Sequence, residues 1–210
     1  MVPVIILGAG GHAKVLADIL IRMSVKIIGF TEIDNTRVGK RLLGIPILGH
    51  DDVILGYNAS EVALVNGLGS IGRTEKRKHI YAKYKAGGFS FAKVIDPNTI
   101  IANSATISEG VQIMAGAVIQ PDSSIGENTI INTRASIDHD CIIGSHVHIA
   151  PGVTLSGGVT VGDGVHIGTG AIVIQGVRIG SNSMIGAGTL VLRDVMEGTR
   201  VVGIHGRGSV

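Results

Sequence analysis

The apolar positions of this chain follow two different rhythms. From Ile95 onward every sixth residue is aliphatic: Ile95, Ile101, Ile107, Ile113, Ile119, Ile125, Ile131, Ile137, Ile143, Ile149, Leu155, Val161, Ile167, Val173, Ile179, Ile185 and Val191. These seventeen positions run without an insertion. Four residues after each stands a small or β-branched residue, from Thr99, Ala105 and Val111 to Ser183, Thr189 and Val195. A period of six is neither the 3.6 of a helix nor the 2 of a long strand. It predicts a short strand and a turn, repeated. Three such strands make a triangular coil, and seventeen hexads give between five and six coils. At the usual strand spacing the stack is roughly 27 Å tall. Glycine directly follows the aliphatic residue in many hexads (Gly126, Gly144, Gly162, Gly168, Gly180, Gly186). It is expected there as a turn former.

Residues 1–90 have another texture. Val4–Leu7 reads as a buried strand, followed by Gly8-Ala9-Gly10-Gly11-His12 and an apolar-periodic helix from about Ala13 to Met23. A second strand, Lys26–Phe30, ends near Glu32 and Asp34. A third, near Ala63–Val65, runs into Asn66-Gly67-Leu68-Gly69-Ser70, with a polar helix from near Arg73. Alternating strand and helix predicts a small parallel α/β unit, and the first loop would point backbone N–H groups at an anion. The full dinucleotide fingerprint is absent, because Ala13 stands where its third glycine belongs. The segment is also short for a six-stranded dinucleotide domain. A half-Rossmann-like unit that takes one nucleotide or nucleotide sugar fits better. The predicted organisation is residues 1–90 as the binding domain and 91–210 as the coil domain with a short tail.

Composition supports the coil. The 210 residues include 32 glycines, but only 3% are aromatic and none is Trp. A thin aliphatic prism has no room for rings. At 45% hydrophobic and 16% charged, the chain is not expected to be disordered. A net charge of +2 with no basic stripe gives no support for nucleic-acid binding. The single Cys141 fits a reducing compartment. The apolar run Val2–Leu7 is too short to span a membrane and lacks the flanks of a signal peptide. A cytoplasmic protein with no membrane contact is expected.

Histidines supply the candidate chemistry. His139, third in its hexad, falls at a turn between Asp138 and Asp140. A neighbouring carboxylate would fix the imidazole tautomer and raise its basicity. The bland reading is a solvated turn histidine. Stacking at eighteen residues puts Gly157 over His139, where a missing side chain would leave space for substrate or simply make a turn. It also puts His148 under His166. A zinc site built from His139, His146 and His148 is a further alternative. So is an inactive assembly or sugar-sensing module.

The hexads resemble the hexapeptide-repeat acyltransferases, which implies a left-handed parallel β-helix and a homotrimer with active sites between subunits. The combination of Gly8-Ala9-Gly10-Gly11-His12-Ala13-Lys14 with Asn132-Thr133 and Ile137-Asp138-His139-Asp140-Cys141 is more specific. It resembles the sialic acid O-acetyltransferase and nucleotide-amino-sugar N-acetyltransferase family. That resemblance implies an acetyl-CoA-dependent N-acetyltransferase acting on a nucleotide-linked 4-amino sugar for surface glycan synthesis, with no bound cofactor and no metal. O-acetylation of a sialic acid or related sugar is the alternative. His139 is then the general base, supported by Asp140. His148, Thr169 and Ala187 belong to the acetyl-CoA site, with His148 donating near the thioester. Gly10, Gly11, His12, Glu32 and Gly67 belong to the sugar-nucleotide site. Two departures stand out: Glu32-Ile33-Asp34 replaces paired acids, and Gly203-Ile204-His205-Gly206-Arg207 replaces the usual G-x-P-A-K/R ending. Arg207 is a candidate contact for a CoA phosphate.

Overall fold

A computed structural model describes residues 2–70 and 74–205. The chain divides into two compact units. One comprises Met1–Gly69 and Lys76–Val94; the other comprises Ser70–Glu75 and Ile95–Val210.

The first unit is a six-stranded sheet with helices. Its elements are β1 (Val4–Leu7), α1 (Gly11–Arg22), β2 (Ile27–Thr31), β3 (Arg41–Leu42), β4 (Ile45–Gly49), β5 (Ala63–Asn66), α2 (Glu75–Ala86) and β6 (Ser90–Phe91). The strand order is β3-β4-β2-β1-β5-β6. All pairings are parallel except β3 with β4. Every residue of β1 is buried, as expected of a strand covered on both faces. Helix α1 begins two residues earlier than predicted, because Gly10 acts as its N-cap and the Gly10 carbonyl accepts from Lys14 N at 3.1 Å. Its buried stripe is Ala13, Leu16, Ala17, Ile19 and Leu20. The start expected near Arg73 for the second helix lies outside the described residues. Strands β3, β4 and β6 go beyond the three expected; Pro46 in β4 argues locally against a strand.

All six aromatic residues lie between Phe30 and Phe91. Four of them pack together: Tyr81 with Phe91 at 4.4 Å between ring centroids, and Tyr84 edge-on to Phe89 at 6.0 Å. The rings that the prism excludes are thus used in the α/β unit.

The second unit is the left-handed parallel β-helix. All seventeen expected strands are present, each two residues long, from Val94–Ile95 to Leu190–Val191. The second residue of each strand carries the period-six aliphatic side chain. Register is constant over the central coils: Ile113 pairs Ile131, which pairs Ile149, then Ile167 and Ile185. The strands form three parallel sheets. Face one contains Ile130–Ile131 and His148–Ile149, face two Ser136–Ile137 and Thr154–Leu155, and face three Ile142–Ile143 and Thr160–Val161. Two further strands, Arg200–Val201 and Ile204–His205, continue faces one and two beyond the predicted repeat.

Glycine has two separate jobs in this unit. Gly126, Gly144, Gly162, Gly168, Gly180 and Gly186 are not in the left-handed region, so the predicted turn role is corrected. A Cβ on Gly126 would come 2.5–2.7 Å from the backbone of Gly144 and Ser145 in the next coil. These glycines let coils approach one another. The left-handed residues come two positions later, at every sixth residue from Gly110 to Gly188. Six of those corners are not glycine: Asp122, Asn128, Arg134, Asp140, His146 and Asn182. Asp and Asn adopt this conformation more readily than other side chains.

Candidate active site

His139 stands on the corner between faces two and three, one residue before the left-handed Asp140 (φ 59°). That backbone turn swings the Asp140 carboxylate back onto its neighbour. His139 Nδ1 lies 2.6 Å from Asp140 Oδ2. Asp138 Oδ1 accepts from His139 N at 2.8 Å, which fixes the start of the turn. The imidazole is 55% exposed and the Asp140 carboxylate 64%. The hydrogen bond to Asp140 is the main reason that the His139 pKa is raised, and the charge of Asp138 adds to it. With Nδ1–H donating to Asp140, Nε2 presents its lone pair to solvent.

Gly157 lies over this ring, as the eighteen-residue stacking predicts, but the space is already used. A Cβ there would fall 2.6 Å from His139 Cε1, 2.7 Å from Nε2 and 3.2 Å from Nδ1. The missing side chain makes room for the imidazole itself rather than for a substrate.

Thr169 and Ala187 stack on a different corner, between faces one and two, where Gly188 N donates to Thr169 O at 2.8 Å. A shallow groove of about 710 Å³ runs along this corner past Thr133, Arg134, Pro151, Gly152, Thr169 and Gly170. Its floor is mostly glycine and small side chains, which suits a long thin ligand. Within one chain the groove and His139 stand at opposite ends of face two, with Ser136–Ile137 between them.

His148 projects from face one and is only 8% exposed. Its Nδ1 is 2.9 Å from the Ser70 carbonyl and 2.8 Å from Ser70 Oγ. Its Nε2 is 3.2 Å from Asn132 Nδ2. The amide orientation of Asn132 is set by Thr133 N, which donates to Oδ1 at 2.8 Å. These partners assign the proton to Nδ1, which donates to Ser70 O, while Nε2 accepts from Asn132. Both nitrogens are therefore engaged within the chain. The partner Ser70 was not foreseen, since it lies 78 residues away in sequence. His166 packs edge-on to His148 at 5.0 Å, and burial lowers its pKa.

The three histidines of the zinc alternative do not converge. His139 is at one corner and His148 on face one. His146, at the corner between faces three and one, has Nδ1 3.0 Å from Asn128 Nδ2. Among the described residues no group of three His, Cys, Asp or Glu side chains is placed to hold a metal ion.

In the α/β unit the predicted residues gather at one edge. Strand order reverses at β1, with β2 on one side and β5 on the other. The loops after β1 and β5 both leave the carboxyl ends of their strands at this switch point, where α/β sheets bind ligands. Gly10 and Gly11 are exposed, have no left-handed backbone and would meet nothing within 4 Å if given a Cβ. Neither packing nor conformation requires glycine there. Gly67 is different: a Cβ would lie 2.6 Å from Leu7 O and 2.9 Å from Ala13 Cβ, so close packing explains it. His12 adjoins Gly69 across the crevice. Glu32 is ion-paired with Arg37, whose Nη2 donates to Ala9 O at 2.9 Å. Thr31 Oγ1 accepts from Gly8 N at 3.1 Å and pairs with Asp51. Arg37 and Thr31, which brace the first loop, are not legible as site residues in the sequence, because strand pairing brings up their partners. Arg207 lies outside the described residues.

Comparison with known proteins matches two families along the chain. Residues 3–84 match the PglD N-terminal domain. Residues 104–134, 122–157 and 158–193 match the bacterial transferase hexapeptide of six repeats. No match appears among the curated proteins. Among solved structures, the chain is similar to perosamine N-acetyltransferase from Caulobacter crescentus, a histidine-to-asparagine variant in complex with CoA and GDP-perosamine. It is 36% identical, with a TM-score of 0.89 over 96% of this chain and 93% of that one. It is similar also to the acetyltransferase domain of PglB from Neisseria gonorrhoeae in complex with acetyl coenzyme A. There the identity is 31% and the TM-score 0.87, over 96% of each chain. WeeI from Acinetobacter baumannii follows at 26% identity and TM-score 0.85, over 97% of each. A β-helix of hexapeptide repeats behind a PglD-type α/β unit, alike over nearly full length to such enzymes, makes this chain an acetyltransferase that belongs to the hexapeptide-repeat sugar N-acetyltransferase family.

Proposed function

We propose that the chain transfers acetyl from acetyl-CoA to the amine of a nucleotide-linked 4-amino sugar, with His139 as general base. The observation that carries this reading is the His139–Asp140 contact of 2.6 Å, which leaves Nε2 with its lone pair exposed. The amine nitrogen attacks the thioester carbonyl carbon while Nε2 takes the amine proton. The C–S bond then breaks, an amide is formed, and the CoA thiolate leaves to be protonated. A positioned histidine contributes about 10²–10⁴-fold to such a step.

Residues 1–90 hold the nucleotide sugar in this proposal and residues 91–210 carry out transfer. The phosphates approach Gly10 and Gly11 at the start of α1, where open space and N-terminal N–H groups favour an anion. His12 and Glu32 border the same crevice. Acetyl-CoA lies in the groove beside Thr169 and Ala187. Because groove and base are at opposite ends of face two, the active site is assembled between copies of the chain in a homotrimer. Face two exposes the apolar side chains Ile100, Ile172, Ile174, Leu192 and Ile204, which a second copy would cover. The cytoplasm supplies both co-substrates, and the product serves surface glycan synthesis. Perosamine N-acetyltransferase at 36% identity, with its bound GDP-perosamine, supports the acceptor class.

The test is release of CoA thiol from acetyl-CoA against nucleotide-linked 4-amino sugars and free sialic acids. Acetylation of an amine on a nucleotide sugar is the expected result. Turnover of sialic acid alone would move the assignment to O-acetylation. Sedimentation of the enzyme as a monomer at micromolar concentration would overturn the inter-subunit site.

A further inference from the structure

We propose that Gly157 is a positioning residue for the reaction: the absence of its Cβ creates the slot in which the His139 imidazole lies against Asp140. This rests on the reading of His139 as the base, and deepens it. Gly157 has no left-handed backbone, so conformation does not demand glycine; its neighbour Gly158 (φ 67°) takes the turn. Nor does the coil backbone demand it. The three nearest atoms that an added Cβ would meet outside its flanking residues, at 2.6–3.2 Å, all belong to the His139 ring and none to the coil backbone. The same column of the β-helix carries Pro121 below and Gln175 above, so a side chain is normal at this corner. Only the turn above the base lacks one.

The ring therefore has two constraints, each from a different coil. Asp140 holds the edge at Nδ1, 2.6 Å away. Gly157 admits the face. The charges that act on the imidazole are Asp138 and Asp140 on its own turn; Ser156–Gly158 above contributes none, and Asp122 below stacks under Asp140. A methyl group at position 157 forces a flexible ring to move, not a backbone. The ring then swings away from Asp140 and Nε2 leaves its productive direction.

The experiment compares wild type, Gly157→Ala, His139→Ala and the double variant. In Gly157→Ala the NMR-titrated pKa of His139 falls from its raised value toward the ordinary ~6.5. Its kcat falls about a hundredfold, the penalty of a misplaced group, while KM for acetyl-CoA hardly changes. Adding Gly157→Ala to His139→Ala causes no further loss of rate, and the double variant melts where His139→Ala melts. If Gly157→Ala alone fails to fold, the double variant still folds, because the ring it collides with is gone. An unshifted His139 pKa with a wild-type rate in Gly157→Ala overturns the proposal. So does a double variant that melts well below His139→Ala, since glycine would then serve the backbone. If His139→Ala retains wild-type activity, the base assignment fails, while the titration and melting data still decide whether Gly157 positions the ring.

Discussion

Replacing Asp140 by Asn removes the charge from the His139 pair while keeping the corner, because Asn adopts the left-handed conformation found at Asp140 (φ 59°). The carboxylate is the largest reason that the His139 pKa is raised, through its hydrogen bond. In the proposed mechanism the neutral ring is the base, so kcat/KM rises with pH through that pKa. Asp140→Asn therefore moves the acid limb to lower pH. Ring and carboxylate are 55% and 64% exposed, so solvent and salt screen the pair. The base itself remains in the variant. The loss above the acid limb should thus be smaller than about 10²-fold, the lower figure for losing a general base outright. It should shrink as pH falls, since the wild-type ring protonates first. Asp138→Asn moves the limb in the same direction by less, acting only through charge. Stability follows the same sign. A raised folded-state pKa stabilises the fold below the ordinary histidine value, and the effect is lost as pH rises through the folded value. Melting of Asp140→Asn should differ from wild type more at about pH 5 than at about pH 9. An acid limb that stays in place, or moves to higher pH, would refute the pairing as the source of basicity.

Two other substitutions separate binding from folding. Gly10→Asn puts a Cβ where nothing lies within 4 Å and keeps a good N-cap residue, so the melting temperature should change little. KM for the nucleotide sugar should rise in steady-state kinetics while KM for acetyl-CoA stays as it was. Gly126→Ala does the opposite. Its Cβ meets the backbone of Gly144 and Ser145, which cannot rotate away, so calorimetry should report a loss of about 1–3 kcal/mol without a selective change in either KM.

The coil was legible because its constraint is local and repeated. Each aliphatic residue from Ile95 to Val191 faces the same narrow interior, so one period describes seventeen strands. The pattern stops being readable where coils shorten: Val191 pairs His205, fourteen residues on, and no hexad marks that strand. The job of the glycines after the aliphatic residues is not legible in the sequence, since a close approach between coils and a turn look alike in one dimension. At the site, the His139–Asp140 contact was readable because the residues are adjacent. The engagement of His148 by Ser70 was not, because it joins a distant segment to face one. Eighteen-residue stacking puts Gly157 over His139, yet only the folded structure reveals that the imidazole occupies the gap.

In the proposed reaction His139 takes the proton from a sugar amine during transfer from acetyl-CoA. The most direct measurement is mass spectrometry of nucleotide-linked 4-amino sugars, GDP-perosamine among them, incubated with acetyl-CoA and either wild type or His139→Ala at matched concentration. Wild type should add one acetyl group to the amine, and the variant should do so about 10²–10⁴-fold more slowly while melting normally. A variant that acetylates at the wild-type rate, or a wild type that acetylates no nucleotide amino sugar, would contradict it.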